Sequence, residues 1–210
     1  MLPICPAWLR PAAEIAGAPS RAVATGTQPR LVILDRDGVI NRESPDFIRT
    51  PDEWLPVPGS IEAISALTRA GFTVVVASNQ SGVGRGLFSA DTLAAIHTRM
   101  TQTLEAAGGQ LAGIFFCPHR PEDGCACRKP LPGLLRQVEA RFGVTLAGVP
   151  CIGDSRRDLE AAWQVGARAI LVLTGNGAQT EQGLEAGAAV EVFPDLAAAA
   201  RQLIDERVES

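Results

Sequence analysis

The chain has 210 residues, 46% of them hydrophobic, which is enough for one well-cored domain of ordinary size. A net charge of −4 without any block of lysine or arginine argues against a nucleic-acid footprint. No apolar run approaches the roughly 18 residues that would cross a bilayer. The cysteine count is odd at five, with Cys117, Cys125 and Cys127 close together, which fits metal-bound thiolates in a reducing cytosol better than a secreted disulfide framework.

Residues 1–30 are rich in Pro, Ala and Gly and show neither helical nor strand periodicity. They lack the basic start and continuous apolar stretch of a secretory signal, and read as a flexible extension ahead of a domain at 31–210. A transit-type peptide is the weaker alternative, since the arginines are few and Glu14 is present. The domain opens on Leu31-Val-Ile-Leu-Asp-Arg-Asp-Gly38, a β-branched apolar run that ends in Asp35 and Asp37. Such a run reads as a buried parallel strand, and open α/β sheets keep their active sites at the carboxyl ends of strands. Two carboxylates there repel unless a cation or a shared proton holds them, although a strand-ending Asx turn has the same appearance.

A helical pattern then runs from Pro58-Gly-Ser60 to about Ala70, with Ile61, Ile64 and Leu67 on one face and Gly71 as its stop. Phe72 to Ser78 is a second buried strand. It leads into Ser78-Asn-Gln-Ser-Gly-Val-Gly-Arg-Gly86, whose hydroxyl, amide and backbone N–H groups suit a tetrahedral oxyanion, as would a plain flexible turn. Ser89 caps a helix from about Ala90 to Ala107. Leu111 to Cys117 is a third strand, and a helix follows from Pro132-Gly-Leu-Leu to near Gly143. Val149 to Gly153 is a fourth strand, followed by a helix from about Arg156 to Val165. Ala169 to Leu173 is a fifth, Val190 to Phe193 a sixth, and a last helix runs from about Leu196 to Ile204. Strands alternating with amphipathic helices predict right-handed βαβ crossovers, hence a single Rossmann-like α/β domain with a parallel sheet covered by helices on both faces.

The fourth strand ends in Gly153-Asp154-Ser155, and if strands one and four are neighbours Asp154 meets Asp35 and Asp37. Hard oxygen ligands with room for water are what Mg²⁺ prefers, while a helix N-cap is the plainer role for Asp154. Cys117-Pro-His119 and Cys125-Ala-Cys127 offer three thiolates and one imidazole, a closed tetrahedral Zn²⁺ set in a loop at 117–127, against the alternative of three buried free cysteines. With no Ser-His-Asp set available, carboxylate chemistry is the economical account. Asp35 attacks phosphorus, Asp37 serves as acid and then base, and Lys129 with Mg²⁺ neutralises the transferring phosphoryl group.

These residues resemble the haloacid dehalogenase-like (HAD) phosphatases, with DRDG at 35–38, SNQ at 78–80, RKP at 128–130 and GDSRRD at 153–158 in order. From Leu31 to about Gly177 the chain is similar to the D-glycero-D-manno-heptose 1,7-bisphosphate 7-phosphatases, within the heptose and histidinol phosphatase group. The resemblance implies a cytoplasmic monomer acting on a phosphorylated sugar, without an inserted cap domain. It implies Asp35 as nucleophile, Asp37 as acid/base, and Mg²⁺ held by Asp35, the Asp37 carbonyl and Asp154. It assigns phosphoryl stabilisation to Ser78 and Lys129 and substrate recognition to Arg128. Glu43, Ser44, Pro45 and Asp46 match a sugar-contacting loop, and Asn79, Gln80 and Ser81 extend the phosphate-side contacts. Histidinol-phosphate phosphatase is the nearest alternative, and a non-catalytic zinc-stabilised binding module the more distant one.

Overall fold

A computed structural model of the protein describes residues 29–208. The expectations for residues 1–28 lie outside the described residues. Six strands form one parallel sheet: β1 (Leu31–Leu34), β2 (Thr73–Asn79), β3 (Gly113–Cys117), β4 (Pro150–Gly153), β5 (Arg168–Val172) and β6 (Glu191–Phe193). Their spatial order is β3-β2-β1-β4-β5-β6. The chain steps outward from β1 to β3, then returns to the other side of β1 and steps outward again. That reversal opens a crevice at the carboxyl ends of β1 and β4, where ligands of such sheets bind.

The helices are α1 (Ser60–Arg69), α2 (Ser81–Gly84), α3 (Ala90–Ala106), α4 (Gly133–Phe142), α5 (Arg156–Trp163), α6 (Gly177–Gln182) and α7 (Leu196–Val208). Side chains alternate across a strand, so β1 feeds two cores. Val32 and Leu34 pack with Ile64 and Leu67 of α1, Met100 of α3 and Leu203 of α7. Leu31 and Ile33 pack on the opposite face with Leu134 of α4 and Leu159 of α5. Burial on both faces explains why β1 is an unbroken apolar run rather than an alternating one.

Every expected strand and helix is present with ends shifted by a few residues, and Ser89 caps α3 by accepting from the Thr92 N–H at 3.0 Å. The short helices α2 and α6 and the 3-10 turns Pro51–Glu53 and Pro121–Asp123 were not foreseen. Segments of one turn or so cannot display a helical period, so only tertiary context reveals them. Residues 35–59, between β1 and α1, carry no inserted domain. They are drawn down onto the sheet edge by buried Trp54, whose indole N–H donates to Asn41 Oδ1 at 3.0 Å.

Candidate active site

The crevice at the reversal collects buried charge. Asp35, directly after β1, keeps its backbone N–H on the Ile152 carbonyl of β4 at 2.9 Å. Its Oδ1 accepts from the Arg36 N–H at 2.7 Å and faces Lys129 Nζ at 3.1 Å, leaving Oδ2 as the oxygen these donors do not take. Burial raises the Asp35 carboxyl above its ordinary value against the pull of Lys129, and Asp158 and Asp37 push it further the same way.

Asp37 has the opposite environment. Burial again works to raise it, but the Arg36 guanidinium and hydrogen bonds from Asn41, Arg36 and Gln80 hold it below the usual carboxylate range. Arg36 reaches Oδ1 through Nε at 3.1 Å and a terminal nitrogen at 2.8 Å, and that nitrogen reaches Oδ2 at 3.0 Å. Asn41 donates to Oδ1 and Gln80 to Oδ2, each at 2.8 Å. Two carboxylates on one strand end are thus given different environments by their partners.

Asp154 closes the group from the end of β4. Burial and the Asp35 charge push it up to about 7. Its Oδ2 accepts from the Asn176 backbone N–H at 2.8 Å and side-chain amide at 3.1 Å, while the buried Oδ1 has no hydrogen-bond partner. Gly38 makes this approach sterically feasible: its φ is +79°, and a Cβ there would lie 2.0 Å from Asp154 Oδ2. Carboxylate oxygens of Asp35, Asp154 and Asp158 lie within 4.8 Å of one another. Asp158 is engaged by Lys129 and by the Ser155 N–H and hydroxyl. Asp35 and Asp154 are therefore the pair left facing each other, and an orphaned anionic oxygen beside a second carboxylate fits a divalent cation.

Lys129 spans the other side. Its ammonium meets Asp158 at 2.5 Å and Asp35 at 3.1 Å and donates to the Ala77 carbonyl at 2.8 Å. Burial would lower its pKa, yet the charges of Asp158 and Asp35 outweigh that and hold it above its usual value. Asn79 locks the segment in place: its amide donates to the Lys129 carbonyl and accepts from the Lys129 N–H, both at 3.0 Å. Asn79, expected among the substrate contacts, thus has its amide committed to placing Lys129. Ser78 is buried at the end of β2 and accepts from Gln80 at 3.0 Å, so Gln80 links Ser78 to Asp37, and buried Ser81 follows at the start of α2.

Cys117, His119, Cys125 and Cys127 converge as expected. The sulfur separations are 3.6 Å for Cys117–Cys125 and 3.3 Å for Cys127–Cys117, and His119 Nδ1 lies 3.5 Å from Cys117 and 3.3 Å from Cys127. A tetrahedral ion with metal–sulfur arms of roughly 2.3 Å spaces its ligands by somewhat under 4 Å, so the cluster has the size of a metal cage. Cys117, Cys125 and Cys127 are not disulfide-bonded. From this loop Arg128 donates to the His119 carbonyl at 3.4 Å, which ties its guanidinium to the cluster.

The loop after Asn41 stands at the rim. A cavity of about 590 Å³ is lined by Arg42, Glu43, Ser44, Asp46, Phe47 and Leu55, among others. Pro45 lies exposed within the same loop. Glu43 is an exposed residue of this loop, yet desolvation of its carboxyl, then the charges of Asp37 and Asp35, raise it to about 7, so it belongs electrostatically to the carboxylate group. Sequence reasoning missed the work of Arg36, Asn41 and Asp158. The alternation Asp-Arg-Asp was the available signal for the first and the closing Asp of GDSRRD for the last; nothing local pointed to Asn41.

A doubly wound parallel sheet with two differently tuned aspartates at one strand end, a lysine pinned by a third, and a carboxylate pair fit for a cation defines an HAD-like phosphatase. Family models agree: one described as polynucleotide kinase 3 phosphatase matches residues 31–150, and one described as HAD-hydrolase-like matches 126–199. The chain is 55% identical to the D-glycero-beta-D-manno-heptose-1,7-bisphosphate 7-phosphatase of Bordetella bronchiseptica, over 84% of this chain and 99% of that protein. It is 50% identical to the Pseudomonas putida protein of the same name, over 83% and 99% respectively. Among solved structures, the D,D-heptose 1,7-bisphosphate phosphatase of B. bronchiseptica complexed with magnesium and phosphate superposes with a TM-score of 0.82 at 54% identity, covering 84% of this chain and 99% of that one. The chain belongs to the D-glycero-beta-D-manno-heptose-1,7-bisphosphate 7-phosphatase family.

Proposed function

We propose that the protein removes the C7 phosphate of D-glycero-D-manno-heptose 1,7-bisphosphate, with the β anomer named by its relatives as substrate, through an aspartyl-phosphate on Asp35. The observation that carries the mechanism is the Asp35 oxygen left free of the Arg36 and Lys129 contacts, at a strand end it shares with Asp37 and close to Asp154. An Asp35 oxygen forms the new bond to phosphorus as the bond to the C7 oxygen breaks. Asp37 delivers a proton to that departing oxygen, then takes one from the water that attacks the aspartyl-phosphate, releasing inorganic phosphate and restoring both carboxyl groups. Lys129 and the Ser78 hydroxyl stabilise the phosphoryl oxygens, in a step whose catalysis is mostly positioning and charge compensation. Mg²⁺, held by Asp35, Asp154 and the Asp37 carbonyl, would supply the remaining positive charge.

Glu43, Ser44, Pro45, Asp46 and Arg128 recognise the sugar end, with Asn79, Gln80 and Ser81 shaping the phosphate side. Cys117, His119, Cys125 and Cys127 would hold Zn²⁺ with four protein ligands, a structural role that shapes the loop. The proposal extends to a monomer acting in the cytoplasm. Among the described residues no helix is long and apolar enough to cross a membrane. The net charge of −4 does not favour a nucleic-acid backbone as substrate, whatever the description of the model matching 31–150.

The test compares kcat/KM for the two heptose bisphosphate anomers with that for histidinol phosphate, in wild type and Asp35→Asn. Preference for the β anomer, and its loss in Asp35→Asn by 10⁴-fold or so, is expected for removal of a nucleophile. Preference for histidinol phosphate would reassign the substrate, and Mg²⁺-dependent turnover surviving in Asp35→Asn would remove the mechanism.

A further inference from the structure

The residue between the two aspartates is as buried as any in the core. Arg36 is 1% exposed, an expensive state for a guanidinium unless its partners repay the lost water. All three of its nitrogens are engaged. Nε and one terminal nitrogen grip both oxygens of Asp37, and the other terminal nitrogen lies 3.4 Å from His97 Nε2. A guanidinium only donates, so Nε2 of His97 is the accepting nitrogen and the ring proton sits on Nδ1. The neutral state is favoured further: burial, then the adjacent Arg36 charge, lowers His97 to about 3. His97 is itself fixed from two sides. It lies on the buried face of α3, and the Phe116 ring of β3 meets it edge-on at 5.6 Å and 63°.

We infer that Arg36 and His97 form a positioning pair for the Asp37 carboxylate, Arg36 setting its orientation toward the departing oxygen and His97 holding the guanidinium from behind. The inference rests on the reading of Asp37 as the acid/base. Asn41 and Gln80 hold one oxygen each, so without Arg36 the carboxylate keeps partners but loses the planar fork that fixes its plane. Arg36 and His97 touch no substrate atom in this scheme. Their effect is on the step in which Asp37 must hand a proton to a poor leaving group.

Leaving-group chemistry separates this role from a merely structural one. kcat/KM covers events up to departure of the alcohol, and p-nitrophenolate departs without protonation whereas a sugar alkoxide does not. For Arg36→Met we expect kcat/KM on the heptose bisphosphate to fall about 100-fold, the contribution of a positioned general acid, with p-nitrophenyl phosphate changed by less than about threefold. Arg36→Lys keeps the charge but not the fork, and restores only part of the loss. His97→Leu, which leaves the catalytic groups untouched and serves if Arg36→Met does not fold, should show a selective loss of about fivefold, and His97→Gln, with an amide oxygen to accept from Arg36, should return to within about twofold of wild type.

Asp37→Asn is the control. A selective loss there with equal losses on both substrates in the Arg36 and His97 variants overturns the positioning pair alone. No selective loss in Asp37→Asn itself overturns the acid/base reading beneath it.

Discussion

At Lys129 one buried ammonium faces two carboxylates, Asp158 at 2.5 Å and Asp35 at 3.1 Å, and its remaining proton goes to the Ala77 carbonyl. The ion pair with Asp158 does two things: it satisfies a charge that cannot reach water, and it keeps Lys129 from collapsing onto the nucleophile. In Asp158→Ala the ammonium loses its nearer anion, and the protein should be destabilised by about 3–5 kcal/mol, the usual cost of removing one partner from a buried pair. Urea unfolding at pH 7 with an unchanged m-value measures it; a loss below about 1 kcal/mol would mean that water reaches Lys129 and that the pairing is incidental. The job of Asp158 was not legible in the sequence beyond its place as the closing Asp of GDSRRD. An Asp three residues after Ser155 is explained by the capping box that this pair does form at α5, and no local pattern connects it to a lysine on another loop. Asp35, Asp37 and Asp154 were legible, because carboxylates at the ends of apolar runs have few structural reasons to be there.

At the scale of elements, the segment after β3 is held by two independent devices. The cluster of Cys117, His119, Cys125 and Cys127 shapes its first part and carries Arg128 through the His119 carbonyl. The second part is pinned by Asn79 and by the Lys129 contacts, which owe nothing to a metal. Cys127→Ser, or stripping the loop with a thiol reagent and chelator, should therefore raise KM for the bisphosphate about tenfold or more while kcat falls less than about threefold, since Arg128 is released and Lys129 is not. An equal fall in kcat would show that the cluster also supports the phosphoryl site. Farther from the site, Arg168 of β5 joins Glu191 of β6 and Glu206 of α7. The Arg168 hydrogen bond, against the cost of burial, lowers Glu206 to about 2 from 4.5. A depressed folded-state pKa stabilises above 4.5 and is lost as pH falls toward 2. Glu206→Gln should thus cost stability at pH 7, by about 1 kcal/mol or less because both acids are partly exposed to screening water, and approach wild type only near pH 2. Denaturation at the two pH values checks the sign. The sheet itself was legible from its apolar runs, and the single-turn helices α2 and α6 were not, because their existence depends on the loops they close.

For the molecule as a whole, the reversal of strand order between β1 and β4 brings together groups from Asp35 to Asn176, so the site is built across the sheet. The sheet claims its first partner at Arg30, whose carbonyl accepts from the Thr73 N–H at 2.7 Å. A match that uses 84% of this chain already accounts for 99% of the B. bronchiseptica relative, so the residues left over have no counterpart there. The loss of periodicity before Leu31 sets the expected boundary of the domain, on composition alone. The expectation of a flexible extension predicts that removing residues 1–28 leaves the unfolding midpoint within about 2 °C of the full chain, with no more than a few tenths of a kcal/mol at stake. The kcat/KM for the bisphosphate should stay within about twofold, and thermal unfolding and steady-state kinetics on the two chains make the comparison. A drop in KM or kcat specific to the shortened chain, with its midpoint unchanged, would instead give that segment a place at the rim beside the 42–49 loop. A drop in midpoint would extend the folded domain upstream of Arg30.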